Sequence, residues 1–326
     1  MTRIGWIIPA LFAVFVSHLT IAQTVSDSSA YAERFVVANG IRLEYLDWGG
    51  TGSALILIHG GGDNPHNFDD LAPAFRERFH VIAYARRGEG RSEAKPPYDT
   101  ATFTEDLRGL MDALGISQAD LIGWSMGGNE ITGMAALHPE RVRKIVYLEA
   151  AYDWGDPDFA KAFKVIESSL LDPPTSALNS FDAFRAYEKS ADYTQLDDMS
   201  RIDAYLRDLV IVQPDGTLKF RTSSDVMNAT MASVLRDRRD YTKVRCPVLA
   251  IYSSTFLDTH ASDPERRREA IDWERKYMIP FREKSEARIR RELRDVRVVN
   301  VSGTHDDFVF TSKERVVQEV RKFLSR

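Results

Sequence analysis

The chain has 326 residues, with 48 acidic and 43 basic side chains, a net charge of -5 and a pI near 5.9, a balance that argues against nucleic acid as a partner. Hydrophobic residues at 44% and aromatics at 10% are ordinary for a globular enzyme long enough to bury a large core. The one cysteine, Cys246, excludes an internal disulfide and is read as a packing residue; with no Cys/His group at zinc spacing and no H-E-x-x-H segment, neither a metal nor a cofactor is expected.

The first element is a leader. Arg3 precedes an apolar run over 4–16, broken only by Gly5 and Pro9, and Thr20-Ile21-Ala22 supplies small residues before Gln23. This pattern predicts a secretory signal peptide over 1–22, hence an exported, periplasmic or extracellular protein. The run is shorter than the ~20 residues of a membrane span, and Ser17, His18 and Thr20 end it, so no stable membrane anchor is expected.

Next, Asn39-Gly40 between two alternating segments, 33–38 and 41–46, predicts a β-hairpin. From Ala54 apolar strands alternate with helical patterns. Strands are predicted at 54–58, 80–85, 119–124, 144–149, 247–252 and 296–301, with helices at 68–78, 102–114 and 126–137 between the earlier ones. Such alternation implies a mainly parallel sheet covered on both faces, an α/β fold. Two insertions interrupt it. Over 152–242 the periods are helical, at 158–166, 181–190 and 198–212, punctuated by Pro173-Pro174 and Pro214-Asp215-Gly216. Over 254–295 Arg and Glu are interleaved around Trp273 and Met278, as on a solvated amphipathic helix.

The chemistry starts at Gly123-Trp124-Ser125-Met126-Gly127-Gly128. A serine between glycines, after an apolar strand and before a helix, is a nucleophile elbow. A serine hydroxyl needs a base, and the base needs an orienter. His305 is the best base, in the loop Ser302-Gly303-Thr304-His305-Asp306 that follows the last strand; His260 is its main competitor. Asp306 and Asp307 read as loop residues, and His59-Gly60-Gly61-Gly62 ends the 54–58 strand with a glycine loop.

In the order glycine loop, serine, histidine, and in the blocks His59-Gly60-Gly61-Gly62-Asp63-Asn64, Arg86-Arg87-Gly88-Glu89-Gly90-Arg91-Ser92 and Tyr147-Leu148-Glu149-Ala150-Ala151-Tyr152-Asp153, the chain resembles the α/β-hydrolase superfamily. It is most similar to secreted bacterial esterase-like members with a cap domain. The resemblance implies an α/β-hydrolase core over 23–151 and 243–326, and a helical cap over 152–242. It implies a serine esterase with no cofactor, acting on a small-molecule ester. Its oxyanion hole would use the backbone N–H of Met126 together with Gly61 or Gly62. The acid has two candidates. Glu149 ends the 144–149 strand, and Asp258 follows the 247–252 strand later than the family pattern has it; Glu149 is preferred. The glycines of the Arg86 block imply a structural turn beneath the site. A proline iminopeptidase-like amidase and a non-catalytic, ligand-sensing hydrolase fold are the alternatives.

Overall fold

The computed structural model describes residues 31–166 and 172–326; the predicted signal peptide lies outside them. Among the described residues, the apolar and β-branched runs form ten strands: β1 (Ala32–Ala38), β2 (Ile41–Gly49), β3 (Ser53–Ile58), β4 (Phe79–Tyr84), β5 (Ala119–Trp124), β6 (Val142–Leu148), β7 (Val210–Val212), β8 (Leu218–Phe220), β9 (Val248–Tyr252) and β10 (Val296–Asn300). Eight of them build one sheet in the order β1-β2-β4-β3-β5-β6-β9-β10, parallel from β4 to β10, with β1 and β2 joined to its edge in antiparallel pairing. The β1–β2 turn is the predicted one: Asn39 and Gly40 both take positive φ, 47° and 73°, as a two-residue hairpin turn requires.

Alternate residues of the central strands feed two separate cores. On one face Ile56, Ile58, Leu121, Ile145 and Tyr147 pack with α1 (Thr100–Ala113) and α2 (Gly127–Leu137). On the other, Leu55, Leu57, Ile122, Trp124 and Leu148 meet 3-10 turns at Pro65–Phe68 and Ala72–Phe75 and the C-terminal part of the chain. Between β6 and β9 lie α3 (Pro157–Lys164), α4 (Phe181–Ala191), α5 (Asp203–Leu209), the β7–β8 hairpin and α6 (Ser224–Arg236). Between β9 and β10 a helix runs as α7 (Pro264–Trp273), a π-turn (Glu274–Met278) and α8 (Ile279–Glu292); α9 (Phe308–Thr311) and α10 (Lys313–Leu324) close the chain.

Two expectations fail locally. The helix predicted at 68–78 is a pair of 3-10 turns, because Pro73, which has no N–H to donate, sits in its middle. The helix predicted at 198–212 begins as a 3-10 turn (Met199–Ile202) and stops at Leu209. Val210-Ile211-Val212 then pairs with β8, since three β-branched residues in a row favour extended backbone.

Candidate active site

β5 ends at Trp124 and α2 begins at Gly127, so Ser125 and Met126 alone make the corner. Ser125 sits at φ +52°, a left-handed conformation costly for a residue with a Cβ. The flanking glycines allow it. A Cβ at Gly123 would lie 2.7 Å from the Gly127 carbonyl carbon, and one at Gly127 would press on the carbonyl oxygens of Ile58 and His59. The Ser125 N–H donates to Leu148 O at 3.1 Å, tying the corner to the end of β6. Ser125 keeps partial exposure at the N-terminus of α2, where helix N–H groups have no intrahelical acceptor.

Glu149 stands one residue beyond β6 and also takes a positive φ, +48°. It is fully buried, and its Oε2 lies 3.2 Å from His305 Nδ1. Ser253 N donates to Oε1 at 2.6 Å and the Tyr152 hydroxyl reaches both oxygens at 3.1 Å. Arg282, on α8, donates through Nε to the Tyr152 hydroxyl at 3.1 Å and through Nη1 to Ser254 O at 2.8 Å. Asp258, the alternative acid, is turned elsewhere. Its Oδ2 accepts from Thr194 N and Oγ1, at 3.2 and 2.5 Å, and its Oδ1 accepts from His260 N, so it ties its own loop to the end of α4. The His260 ring lies 3.7 Å from Asp258 and is largely exposed.

The His305 loop is held from several sides. Trp124, the residue before Ser125, donates its indole N–H to His305 O at 3.1 Å, and His305 N donates to Phe256 O at 3.2 Å. The imidazole packs on Phe256, with ring centroids 4.1 Å apart, and more loosely on Trp154. Asp307 Oδ1 accepts from Thr304 N at 2.7 Å and so shapes the turn. Trp124 itself is core, 2% exposed against Phe68, Phe308 and Phe310.

The glycine loop lies against the elbow. A Cβ on Gly60 would come 3.3 Å from Ser125 Cβ, and one on Gly61 would press on the Met126 thioether. Gly62 corrects the sequence expectation: its N–H donates to Glu89 Oε1 at 3.0 Å and is already committed. Of the three expected donors, Gly61 and Met126 remain as candidates. Below the loop, the Arg86 block forms a buried ionic network. Arg86 donates to Glu89 Oε2 at 2.7 Å, to Glu130 Oε1 at 3.1 Å and to Gly60 O, while Tyr84 donates to Glu130. His59 closes the network as a neutral ring. Burial and the Arg86 charge hold its pKa well below 6.5; Nδ1 donates to Gly60 O and Nε2 accepts from Arg86 N.

The electrostatics favour a protonatable His305. Burial opposes its charge, but the Glu149 hydrogen bond and the nearby Asp306, Glu149 and Asp63 carboxylates outweigh it and lift the pKa above 6.5. Burial pushes Asp63 up to about 6 despite the hydrogen bond from Tyr205, and Asp306 up to about 7 despite His305. The β6–β9 segment reaches this region: the Tyr205 hydroxyl on α5 donates to Asp63 at 2.8 Å, Asn64 Nδ2 donates to Tyr205 O at 3.1 Å, and Met227 of α6 lies over Gly62.

A family model described as the alpha/beta hydrolase fold matches residues 53–165, which contain the glycine loop, the Arg86 block, Ser125 and Glu149. The solved structure of an E-2-(acetamidomethylene)succinate hydrolase superimposes with a TM-score of 0.67 at 23% identity, over 91% of this chain and 100% of that one. The chain has the α/β-hydrolase fold. Among curated relatives, a 2-hydroxymuconate semialdehyde hydrolase of Pseudomonas sp. (strain CF600) is 33% identical over 156 residues, 43% of this chain and 55% of that protein. A pimeloyl-[acyl-carrier protein] methyl ester esterase of Neisseria meningitidis serogroup B is 38% identical over 89 residues, 27% of this chain and 33% of that protein. The chain thus spans about half the length, or less, of these curated relatives.

Three site residues escaped the sequence reading. Tyr152 and Arg282 support Glu149, and Asp63 packs against Gly60 of the glycine loop. Tyr152 and Asp63 lay inside the quoted blocks, so their signal was present. Arg282 lay in a helix rich in arginine, where nothing local distinguished it.

Proposed function

We propose that the chain is a serine hydrolase that cleaves a carboxylic ester through an acyl-enzyme. The observation that carries this reading is the 3.2 Å contact between His305 Nδ1 and Glu149 Oε2, in a loop pinned by the neighbour of Ser125. Ser125 Oγ attacks the ester carbonyl while His305 takes its proton through Nε2 and passes it to the leaving alcohol. Glu149 keeps the Nδ1–H tautomer and balances the imidazolium. The N–H groups of Met126 and Gly61 receive the oxyanion, each donor being worth ~3 kcal/mol of transition-state stabilisation. Water then releases the acid by the same steps. The 152–242 segment acts as the cap, since Tyr205 and Met227 reach the glycine loop. Export follows from the leader at 1–22.

Relatives named as hydrolases of a semialdehyde and of a methyl ester keep the scissile bond open within hydrolysis. A second reading, an amidase like the proline iminopeptidases, has one observation in its favour. Asp63, packed against Gly60 of the glycine loop, and Asp306, next to His305 in the chain, would receive a substrate ammonium. One experiment separates these readings. The protein is treated with a fluorophosphonate probe, then assayed on p-nitrophenyl esters of rising chain length and on proline p-nitroanilide. Labelling at Ser125 with ester turnover supports the proposal. Turnover of the anilide alone replaces it with the second reading. No labelling and no turnover leave a ligand-sensing fold.

A further inference from the structure

Glu44, His66 and Asp208 are far apart in sequence and belong to three elements: β2, the 3-10 turn after the glycine loop, and α5. Among the described residues, they each bring one donor atom within 4.8 Å of the other two. All three are more than nine-tenths buried, at 0%, 7% and 3% exposure. Each carboxylate has one oxygen held and one left over. Glu44 Oε2 accepts from Arg91 N at 2.6 Å, whereas Glu44 Oε1 is buried with no hydrogen-bond partner. Asp208 Oδ1 meets Arg91 Nε at 3.0 Å and Arg221 Nη2 at 3.2 Å, whereas Asp208 Oδ2 is buried with no partner. His66 Nδ1 is held by Asp69 Oδ2 at 3.0 Å, which leaves Nε2 for the cluster. Tyr31 packs edge-on against the ring, with centroids 5.4 Å apart.

We propose that Glu44, His66 and Asp208 bind a divalent cation, Zn2+, that locks α5 to the sheet beside the glycine loop. One donor atom from each of the three side chains gathers in the interior, and while Arg91 and Arg221 counter Asp208, the buried Glu44 carboxylate accepts a backbone N–H and, among the described residues, has no ion pair to counter its charge. One nitrogen and two oxygens form a zinc donor set, with water as the fourth ligand. Zinc bonds of ~2.0–2.2 Å require the three side chains to draw their donors together around the ion. Calcium, which takes about six to eight oxygens, is poorly served. The second shell is also of the metal-site kind, since a carboxylate on the far nitrogen of a histidine fixes its tautomer and ring angle. Tyr205, one turn before Asp208, bonds Asp63, so the ion would steady the loop that carries Gly61. The inference does not depend on the chemistry at Ser125.

The test strips the purified protein with a chelator and then titrates it with ZnCl2, with MnCl2 and CaCl2 as comparators. Bound metal is counted by mass spectrometry and heat by calorimetry, and the melting temperature is followed. The expected result is one zinc per chain with a chelator-reversible rise in melting temperature. Glu44→Gln and Asp208→Asn should lose it, and Asp69→Asn should bind ~10–100-fold more weakly. His260→Ala, which removes an exposed ring, should bind as the parent does. No binding by the parent, or equal binding by Glu44→Gln and Asp208→Asn, overturns the proposal and leaves a proton shared between the carboxylates. If a ligand variant does not fold, crystals of the parent grown with ZnCl2 decide. An anomalous peak between the three side chains supports the site, and its absence there refutes it.

Discussion

Replacing Ser125 with Ala should cut kcat on an ester by on the order of 10⁶-fold while leaving the unfolding midpoint nearly unchanged, since one hydroxyl at a part-exposed corner is all that is lost. Retention of a tenth of the parent rate would remove Ser125 from the mechanism. Glu149→Gln should lower kcat by on the order of 10⁴-fold through the wrong histidine tautomer. Asp258→Asn should keep its activity and lose about 1–2 kcal/mol of stability, because its bonds serve Thr194 and the His260 backbone. The pH profile carries an independent sign. As the proposed base, His305 would work only when neutral, and its neighbours raise its pKa above 6.5. The acidic limb of kcat/KM should therefore rise with pH and have its midpoint above 6.5. In residual Glu149→Gln activity that limb should move to lower pH, because the Glu149 hydrogen bond and charge are among the terms that raise it. A limb that stays put would detach Glu149 from His305.

Beneath the site, the elements are joined by charge as well as by packing. Arg86 bridges the glycine loop, Glu89 and Glu130 of α2 without access to water. Arg86→Ala should cost about 3–5 kcal/mol in urea unfolding, since it strands two buried carboxylates. A loss below ~1 kcal/mol would mean that water relieves them. Strands β3, β4, β6 and β9 were legible because each holds an apolar run of four or more residues, a pattern that a strand buried on both faces must have, whereas the three-residue β7 was hidden inside a helical period. The elbow was legible because backbone approaches backbone there, and only glycine permits it. Pairings across long separations were not legible. Glu149 and His305 stand 156 residues apart, and Glu149 against Asp258 turned on which way each side chain points. The commitment of the Gly62 N–H to Glu89 was hidden for the same reason, as was the gathering of Glu44, His66 and Asp208. Each depends on side-chain direction after folding, on which periodicity is silent.

For the molecule as a whole, the proposed leader at 1–22 sets what cells release. Expression with the native leader in a bacterium should yield a soluble protein whose amino terminus lies at or near Gln23, as Edman degradation or intact mass will report. Full-length chain in the membrane fraction would make the segment an anchor. Among the described residues, no helix is long and apolar enough to cross a membrane.

The left-handed backbone at Ser125 sets the protein's durability against its purpose. A glycine there adopts the same φ without the steric cost of a side chain, so Ser125→Gly should unfold at a higher temperature than the parent, by the equivalent of ~1 kcal/mol. Heat selection applied to a random library, with no demand for turnover, would therefore reward loss of the proposed nucleophile. Any engineering campaign on this scaffold has to screen for turnover from the first round, because at this corner the hardiest descendants are sterile.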